Sequence, residues 1–212
     1  MKRLCIAPIV EGHGEVEAIR VLLDRVWREQ LGGDYLEVLP PVRQPRSKLL
    51  RWDPDAAVST PNPIEISRAV RFAAAKLQDR SDADVPALVL LLLDADRDCP
   101  ARLVPLLTET VQQEAGRCDA AVVVANIEYE TWFVASAQSL TDHLEVTDKP
   151  PADPEQQRCG KGWIEERFRG PKYSETVDQA RMTAAMDLQI CRRKSPSFDK
   201  LCRVLEARLD RS

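Results

Sequence analysis

Long hydrophobic runs are missing from this sequence of 212 residues. No segment reaches the roughly 18 apolar residues that a membrane-spanning helix needs, which argues against an integral membrane protein. The N-terminal residues lead directly into a predicted strand and show neither the apolar core nor the cleavage site of a signal peptide. We therefore expect a soluble, cytoplasmic protein that does not associate with membranes.

Cysteine and histidine patterns that bind metals are missing too. The chain has 2 histidines, and its 6 cysteines are scattered without a CxxC pair. This distribution excludes the common zinc motifs and gives no sign of a disulfide framework, so we expect reduced thiols. The GxxxxGK(S/T) motif of P-loop ATPases is also missing, so any ATPase activity would have to come from a separate protein.

An apolar run followed by acids is the clearest pattern in the chain. Residues 88–98 read LVLLLLDADRD, and the uninterrupted apolar part is typical of a strand covered on both faces in a parallel sheet. In an extended chain, side chains two residues apart point the same way, so Asp94 and Asp96 can converge on one site. Two carboxylates held close together repel each other, and a hard divalent cation such as Mg2+ or Mn2+ removes that repulsion.

The first predicted strand is also followed by an acid. Residues 4–10 (LCIAPIV) are apolar, and we expect an irregularity near Pro8, which cannot donate to a sheet ladder. Glu11 comes next, and Gly12 permits a tight turn into a helix. Glu15 lies at the start of that helix, where it would either reach the same site or stabilise the helix N-terminus.

A third apolar segment, residues 120–125 (AAVVVA), is followed by Glu128 and Glu130. The carboxyl ends of parallel strands meet at one edge of the sheet, where open α/β proteins bind ligands. Three strands that all end in carboxylates therefore predict one anionic site. Glu128 and Glu130 are candidate metal ligands there, together with the acids that follow the other two strands.

The order of elements predicts a three-layer, Rossmann-like α/β fold with a mostly parallel central sheet flanked by helices. Residues 1–140 would form the α/β core, and residues 141–212 a mainly helical extension packed on it within one compact domain. The proline-rich segment 40–63 is too long for an ordinary connection, so we expect a mobile functional loop or a segment partly ordered against the active face. Apolar spacing predicts helices at 63–78, 154–168, 174–188 and 196–209.

The basic residues are clustered, although the net charge of −4 does not favour a protein that coats nucleic acid. A cluster of acidic residues at a metal site, surrounded by basic residues, would give the same small net charge. One cluster in segment 40–63 is the predicted nucleic-acid contact, and an ordinary solvated surface is the alternative. Its members are Arg43, Arg46, Lys48 and Arg51.

These motifs resemble those of TOPRIM domains, the fold shared by topoisomerases, primases and OLD-family nucleases. The resemblance rests on short motifs at strand ends and near the C-terminus, namely EG at 11–12, DxD at 94–96, ExExWF at 128–133 and SPSF at 195–198. The spacing EGxxE, from Glu11 to Glu15, is more similar to the OLD-like type. The later motifs resemble uncharacterised bacterial proteins of this length that contain an OLD-like TOPRIM domain.

The resemblance implies a TOPRIM fold and a role for each acid. Glu11 would act as a general base in strand cleavage or as a metal ligand. Asp94 and Asp96 would coordinate Mg2+ (or Mn2+), and Asp98 or Glu15 would support a second ion. Two such ions suit phosphodiester hydrolysis.

Two further assignments come from charge and position. Lys161, or an arginine of segment 43–51, would neutralise the charge that develops on the phosphate during the reaction. Gly12 and His13 lie beside Glu11 and would contact a phosphate of the nucleic acid. For His13, a turn histidine without a chemical role is the alternative.

The predicted function is Mg2+-dependent phosphodiester hydrolysis of nucleic acid, DNA rather than RNA, in a bacterial defence or DNA-processing system. OLD-type nucleases carry their ATPase in the same chain, so the expected partner here is a separate ATPase subunit, and a homodimer is left open. One alternative is a non-catalytic TOPRIM module that binds nucleic acid or protein. Another is a metal-dependent glycosyltransferase or phosphatase that uses the DxD motif.

Overall fold

A parallel sheet forms the centre of the protein. The computed structural model describes residues 2–55, 58–79, 85–147, 149–156 and 160–209. Within these residues the strands are β1 (Arg3–Val10), β2 (Tyr35–Val38), β3 (Val42–Arg43), β4 (Leu50–Asp53), β5 (Val58–Pro61), β6 (Ala87–Asp94) and β7 (Asp119–Ala125). Strands β2, β1, β6 and β7 pair in that order, all parallel, and β3 also pairs with β1.

Helices cover both faces of this sheet. They are α1 (His13–Arg25), α2 (Arg46–Leu49), α3 (Pro63–Gln78), α4 (Pro100–Glu114), α5 (Glu130–Ala135), α6 (Gly160–Arg167), α7 (Glu175–Ala185), α8 (Leu188–Lys194) and α9 (Pro196–Leu209). Helices α3 and α4 contribute to the core on one face, and α1 and α5 to α9 contribute to the core on the other. The predicted three-layer α/β fold is confirmed. None of the helices in the described residues is long and apolar enough to cross a membrane.

The continuous apolar runs form central strands because alternate side chains enter different cores. Along β6, Leu88, Leu90 and Leu92 belong to the core under α1, and the residues between them belong to the core under α3 and α4. The same alternation is found in β1 and β7. Each buried leucine contributes about 1.5–3 kcal/mol relative to an exposed one, so a strand without polar positions is stable only with helices on both faces.

Pro8 lies in an unbroken β1, and the irregularity that it was expected to cause occurs in the neighbouring strand. The carbonyl of Ile6 accepts from the amide of Leu39, and the carbonyl of Val10 accepts from the amide of Gln44. Because pairing groups alternate along a strand, the missing N–H of Pro8 would face this same side. Pro8 thus occupies the gap where pairing with β2 has ended and pairing with β3 has not begun.

The described residues of the long segment 40–63 form regular elements that pack at the edge of the sheet where the acids lie. It contains β3, α2 and an antiparallel hairpin of β4 and β5. The amide of Ser59 in β5 donates to Asp98 Oδ1 at 2.8 Å, and this bond ties the hairpin to the loop that follows β6. The described residues therefore agree with the second expectation, in which the segment is ordered, and not with a mobile loop.

Two of the four predicted helices have the predicted bounds, and the other two are divided. Helices α3 and α9 have the predicted bounds, whereas the helix predicted at 174–188 ends at Ala185 and a separate α8 follows. The break occurs because Met186 is extended and the Asp187 side chain accepts from the amide of Ile190, which caps α8. The helix predicted at 154–168 is divided into a 3-10 turn (Pro154–Gln156) and α6, and residues 157–159 lie outside the described residues.

The C-terminal helices share a core with the sheet. Met182 of α7 and Phe198 of α9 are fully buried in the same apolar cluster as β1, β6 and β7. Helix α7 also packs closely on α1, because a Cβ added to Gly14 would collide with the side chain of Gln179. This packing brings the start of α7 next to the start of α1, at the edge of the sheet where the acids lie.

Candidate active site

The three acidic strand ends lie side by side. In the sheet register, Ile9 of β1 pairs with Leu91 of β6, and Asp94 of β6 pairs with Ala125 of β7. Beyond the strands, the amide of Asp96 donates to the carbonyl of Ile127 at 2.7 Å. The loops that carry the predicted ligands are therefore neighbours, as the parallel arrangement required.

Glu11 follows β1 and is partly buried at this edge. Burial, together with the nearby charge of Asp96, raises the pKa of Glu11 to about 7, although Arg46 and the backbone amide of Asp94 lower it. One of its oxygens, Oε2, is buried and has no hydrogen-bond partner among the described residues. A buried carboxylate oxygen without a partner is uncommon and costs free energy, so Oε2 is free to bind a ligand.

Asp94 is the centre of the acidic cluster. Burial raises its pKa well above the usual range, and four glutamates add to this effect. These are Glu15, Glu130, Glu11 and Glu128, in decreasing order of influence. Carboxylates that follow β1 and β7 therefore act electrostatically on one side chain at the end of β6.

Glu15 folds back over the turn that precedes it. A Cβ added to Gly12 would collide with the Glu15 carboxylate, so glycine lets this carboxylate lie over the turn. Burial raises the pKa of Glu15, and the backbone amides of Glu15 and Gly12 lower it. The carboxylate thus stabilises the N-terminus of α1 and also acts on Asp94. Both interpretations of Glu15 left open by the sequence have support.

Glu128 and Glu130 occupy different depths after β7. Glu128 is partly buried and accepts from the backbone amide of Lys161. Glu130 is only 3% exposed, accepts from the hydroxyl of Tyr173 at 2.8 Å, and has a pKa that burial raises to about 8. Gln179 Nε2 also donates to Glu130. Glu128 therefore faces the site, and Glu130 supports it from the interior.

Lys161 is present at this edge, as its charge suggested. Its ammonium group donates to Glu175 at the start of α7, and this bond is the main reason that its pKa is raised. The charges of Glu130 and Glu165 act in the same direction. The cation is therefore within the electrostatic reach of the cluster but is paired with Glu175.

Arg46 holds the loop after β6. Its guanidinium donates to the carbonyls of Asp94 at 3.0 Å and Ala95 at 3.2 Å, contacts Asp96 Oδ2 at 2.8 Å, and pairs with Asp98. The Arg46 side chain is 13% exposed, so these contacts consume most of its donors. Its position is that of a structural clamp on the DxD loop, at the floor of the cleft.

Asp98 belongs to this clamp. Its side chain is 2% exposed, one oxygen accepts from the Ser59 amide, and the other pairs with Arg46. Burial by itself would raise the pKa of Asp98, but the hydrogen bonds from Ser59 and the charge of Arg46 together lower it. Both oxygens therefore have protein partners, unlike Oε2 of Glu11.

The backbone at the site is unusual at two positions. Asp96 has a φ of 51° and Ile127 a φ of 66°, and these are the non-glycine residues with positive φ in the described part of the chain. An aspartate tolerates this conformation, but a β-branched residue such as Ile127 does so at a cost of about 1–3 kcal/mol. Strain of this kind is concentrated at functional sites.

A buried network supports the loop after β7. Asn126 Nδ2 donates to the carbonyl oxygen of Glu155 at 3.3 Å. The Glu155 carboxylate accepts from both hydroxyls of Ser195 and Ser197, and Trp132 Nε1 donates to Ser197 Oγ at 2.8 Å. The SPSF and ExExWF motifs, which lie far apart in the sequence, thus meet beneath the site.

A cleft lies over the acidic edge and has two adjoining parts of about 660 and 540 Å3. Both parts are lined by Arg46, Trp52, Ser59 and Asp96. The first part also reaches basic residues and the end of β1, and these further lining residues are Glu11, Gly12, Arg43 and Arg51. The second part extends to Arg97, Asp98, Ile127 and Glu128.

The predicted nucleic-acid contacts divide into three groups. Arg43 and Arg51 are exposed and line the cleft, whereas Arg46 lines it but is engaged by the loop after β6. Lys48 is exposed on α2 and is not among the residues that line either part. Gly12 lines the cleft, and His13 is exposed as the first residue of α1.

The donor set fits a hard divalent cation in its chemistry. The partnerless oxygen of Glu11 and the crowded carboxylate of Asp94 are oxygen ligands whose mutual repulsion a cation would relieve. Among the described residues, however, no three acidic, histidine or cysteine side chains are already arranged as a ligand set. One physical reason is that Asp96 is 56% exposed and turned towards Arg46.

Several residues of the site were not predicted from the sequence. Tyr173, Glu175 and Gln179 reach the cluster only because α7 packs on α1, and their local sequence has no motif that signals this. Glu155 is similar, because its partners lie about 40 residues away. The close approach at Gly14 is the one local signal, since glycine in a helix is otherwise unfavourable.

Comparisons with known proteins identify a family but no function. Neither the curated proteins nor the solved structures gave a match to this chain. The description of the family that matches assigns no activity and does not mention TOPRIM or OLD-like proteins. That match covers most of the sequence, including every acidic residue of the site. Residues 10–206 match the model of the family described as a domain of unknown function (DUF4276), and the chain therefore belongs to this family.

Proposed function

We propose that the protein is a cytoplasmic, Mg2+- or Mn2+-dependent nuclease that hydrolyses phosphodiester bonds, in DNA rather than RNA. The observation that carries the proposal is the convergence of carboxylates from three strand ends on Asp94, beside the partnerless oxygen of Glu11. Such an arrangement destabilises the fold unless a cation or a substrate uses it. The resemblance to OLD-like TOPRIM domains points to the same chemistry and to a separate ATPase as partner.

The residues that would hold the cation are Glu11, Asp94 and Asp96, with Glu128 at the second part of the cleft. A bound divalent ion would polarise the phosphodiester and offset its developing charge. Glu11 Oε2 is the oxygen with no competing protein partner. Arg46 keeps the DxD loop in place through its carbonyls, so Asp96 is presented to the cleft in a fixed backbone conformation.

Other side chains of the cleft would bind the substrate. Arg43 and Arg51 are exposed in its first part and would contact backbone phosphates on the approach to Glu11. Lys161 would contribute positive charge from the side of Glu128, with Glu175 fixing its position. A two-part cleft lined by several arginines suits an extended polymer better than a small sugar nucleotide, which favours the nuclease over the transferase alternative.

A non-catalytic binding module is the second candidate, and the arrangement of acids argues against it. Binding of nucleic acid or of a protein would not require glutamates with raised pKa values around Asp94. It would not require the strained backbone at Ile127 either. Both features reduce stability, and perturbed acids and strain concentrate at catalytic sites.

The test is cleavage of labelled DNA and RNA, single-stranded and duplex, by the purified protein with Mg2+, with Mn2+ and with EDTA. We expect cleavage of DNA with either metal, none with EDTA, and a loss of about 10³-fold or more in Asp94→Asn. Asp142→Asn is the matched control, since Asp142 is an exposed turn residue outside the cleft. Metal-dependent cleavage that persists in Asp94→Asn would contradict the proposal. Binding of nucleic acid without cleavage of any of these substrates would also contradict the proposal.

A further inference from the structure

Trp52 is exposed at the candidate site. It is 50% exposed, whereas Trp27 and Trp132 are fully buried and Trp163 is partly buried against Arg167. An exposed tryptophan loses much of the stabilisation that its burial would give. Its exposure is therefore unusual in this chain, and the position at which it occurs is informative.

The fold fixes Trp52 over the acidic edge. Trp52 lies in β4 directly opposite Ser59 of β5. Ser59 is fixed by two contacts. Its amide donates to Asp98, and its hydroxyl lies 3.5 Å from the guanidinium of Arg46. The same two residues hold the loop that carries Asp96. The indole and the DxD loop are thus attached to one clamp.

Trp52 lines both parts of the cleft, and Asp96 lies in both as well. Arg43 and Arg51 line the first part, and Arg97 lines the second. An aromatic face with guanidinium groups on either side matches the two features of an unpaired nucleotide chain, a flat base and a charged backbone. In a duplex the bases are stacked on each other, and their faces are not available to an indole.

We propose that Trp52 is a stacking platform for a nucleic-acid base, and that the cleft takes an unpaired strand. This inference rests on the proposed nuclease function and names its substrate class. A base stacked on Trp52 places the adjoining backbone in the cleft beside Asp96, while Arg43 and Arg51 receive phosphates on one side and Arg97 on the other. The site then acts on single strands, frayed ends or flaps.

The test is a binding experiment that does not depend on cleavage. Fluorescein-labelled oligothymidine, oligouridine and a blunt DNA duplex are titrated with wild-type protein, Trp52→Ala and Trp52→Phe, with Ca2+ in place of Mg2+, and the fluorescence anisotropy gives Kd. We expect oligothymidine or oligouridine to bind more tightly than the duplex. Trp52→Ala should raise Kd for the single strand about 10- to 100-fold, and Trp52→Phe only a few-fold.

Phe72→Ala is the matched control, because Phe72 is 57% exposed on α3 and lies outside the cleft. Its single-strand Kd should equal that of the wild type. The inference is overturned if Trp52→Ala binds single strands as tightly as the wild type does, or if the duplex binds as tightly as the single strand. Equal losses in Trp52→Ala and Phe72→Ala would also overturn it.

The two proposals fail in different ways. Binding of single strands that depends on Trp52, without cleavage under any metal, contradicts the nuclease and leaves the stacking platform in place. Cleavage of duplex DNA that requires Asp94 and is unaffected by Trp52→Ala contradicts the stacking platform and leaves the nuclease in place.

Discussion

The loop after β6 carries two aspartates with opposite environments. Asp98 is buried against Arg46 and Ser59, and these partners lower its pKa. Burial, together with the charges of four glutamates, raises the pKa of Asp94 well above the usual range. The two residues are four positions apart in one acidic motif, and the sequence makes both of them candidate metal ligands. Their neighbours give one a structural role and make the other the centre of the candidate site.

The difference shows how one arginine can serve an anionic site without neutralising it. Arg46 pairs with Asp98 and with the outer oxygen of Asp96, and it binds the carbonyls of Asp94 and Ala95. Its charge also lowers the pKa of Glu11, but less than burial and Asp96 raise it. Arg46 therefore fixes the loop, and the part of the site that contains Glu11 and Asp94 keeps a negative electrostatic potential.

The largest expected effect is the loss of cleavage activity when Asp94 is replaced, and replacement of Asp98 should not cause the same loss. Asp94→Asn is expected to reduce Mg2+-dependent cleavage about 10³-fold or more, because it removes a central oxygen ligand. The free energy of unfolding should stay the same or rise, since a repelled carboxylate has been removed. Cleavage assays and urea denaturation on the same samples measure both quantities. If Asp94→Asn lost its activity because it unfolded, Asp94 would have a structural role like that of Asp98.

Asp98→Asn should give the reverse pattern. It takes a carboxylate away from a guanidinium that is 13% exposed, so we expect a loss of about 2–3 kcal/mol in the free energy of unfolding. Metal affinity should change little under conditions in which the protein is folded. Urea denaturation and calorimetric titration with Mn2+ provide the two readings, and Glu109→Gln on the exposed face of α4 is the control. Unchanged stability would show that the clamp does not depend on Asp98.

The two environments should also give opposite pH dependences of the free energy of unfolding, measured in metal-free buffer containing EDTA. Glu11 and Glu130 have folded-state pKa values of about 7 and about 8, above their unfolded values, so their protonated forms favour the folded state. Stability should therefore fall by about 2 kcal/mol as pH rises from 5 to 8.5, after allowance for solvent screening. The lowered pKa of Asp98 has the opposite sign, and its contribution is lost as pH falls below 4.

Glu130→Gln makes the pH comparison sharper, because it removes one of the carboxyl groups whose pKa is raised. Its unfolding free energy should decline less between pH 5 and 8.5 than that of the wild type, and Glu109→Gln should decline as the wild type does. Urea denaturation at several pH values gives these slopes. Parallel curves for wild type and Glu130→Gln would contradict the raised pKa of Glu130.

The smallest expected effect is stabilisation by metal. Excess Mg2+ or Mn2+ should raise the free energy of unfolding by about 1–3 kcal/mol at pH 8, and less at pH 5.5, where Glu11 is protonated. EDTA should reverse the increase, and Glu11→Gln should reduce it because the partnerless oxygen is replaced. Thermal denaturation with and without metal measures the effect. An equal shift in wild type and Asp94→Asn would locate the ion elsewhere.

The sequence predicted the sheet and the convergence of acids because both follow from short-range patterns. The apolar runs of β1, β6 and β7 cannot be stable with one face in water, and parallel strands bring their ends together. It did not predict that Arg46 would bind inward, since its partners include backbone carbonyls almost 50 residues away. The hairpin that carries Trp52 was also missed, because its strands are short and partly exposed.

Asn126 and Glu155 illustrate what tertiary packing adds. Asn126 follows the apolar strand β7, and its partner Glu155 lies 29 residues later in a polar, proline-bearing stretch, near the start of the helix predicted at 154–168, with no local motif that pairs the two. The serines that complete the network are at the start of α9. Only the folded chain brings these three segments beneath the strained backbone at Ile127.

The most direct test of the account is a crystal structure of the protein soaked in Mn2+, with the ion located by its anomalous signal. We expect Mn2+ at the carboxyl edge of the sheet, with oxygens of Glu11 and Asp94 about 2.0–2.5 Å from the ion and Asp98 still bound to Arg46. No ion at this edge, or an ion that Glu11 and Asp94 do not contact, would contradict the account.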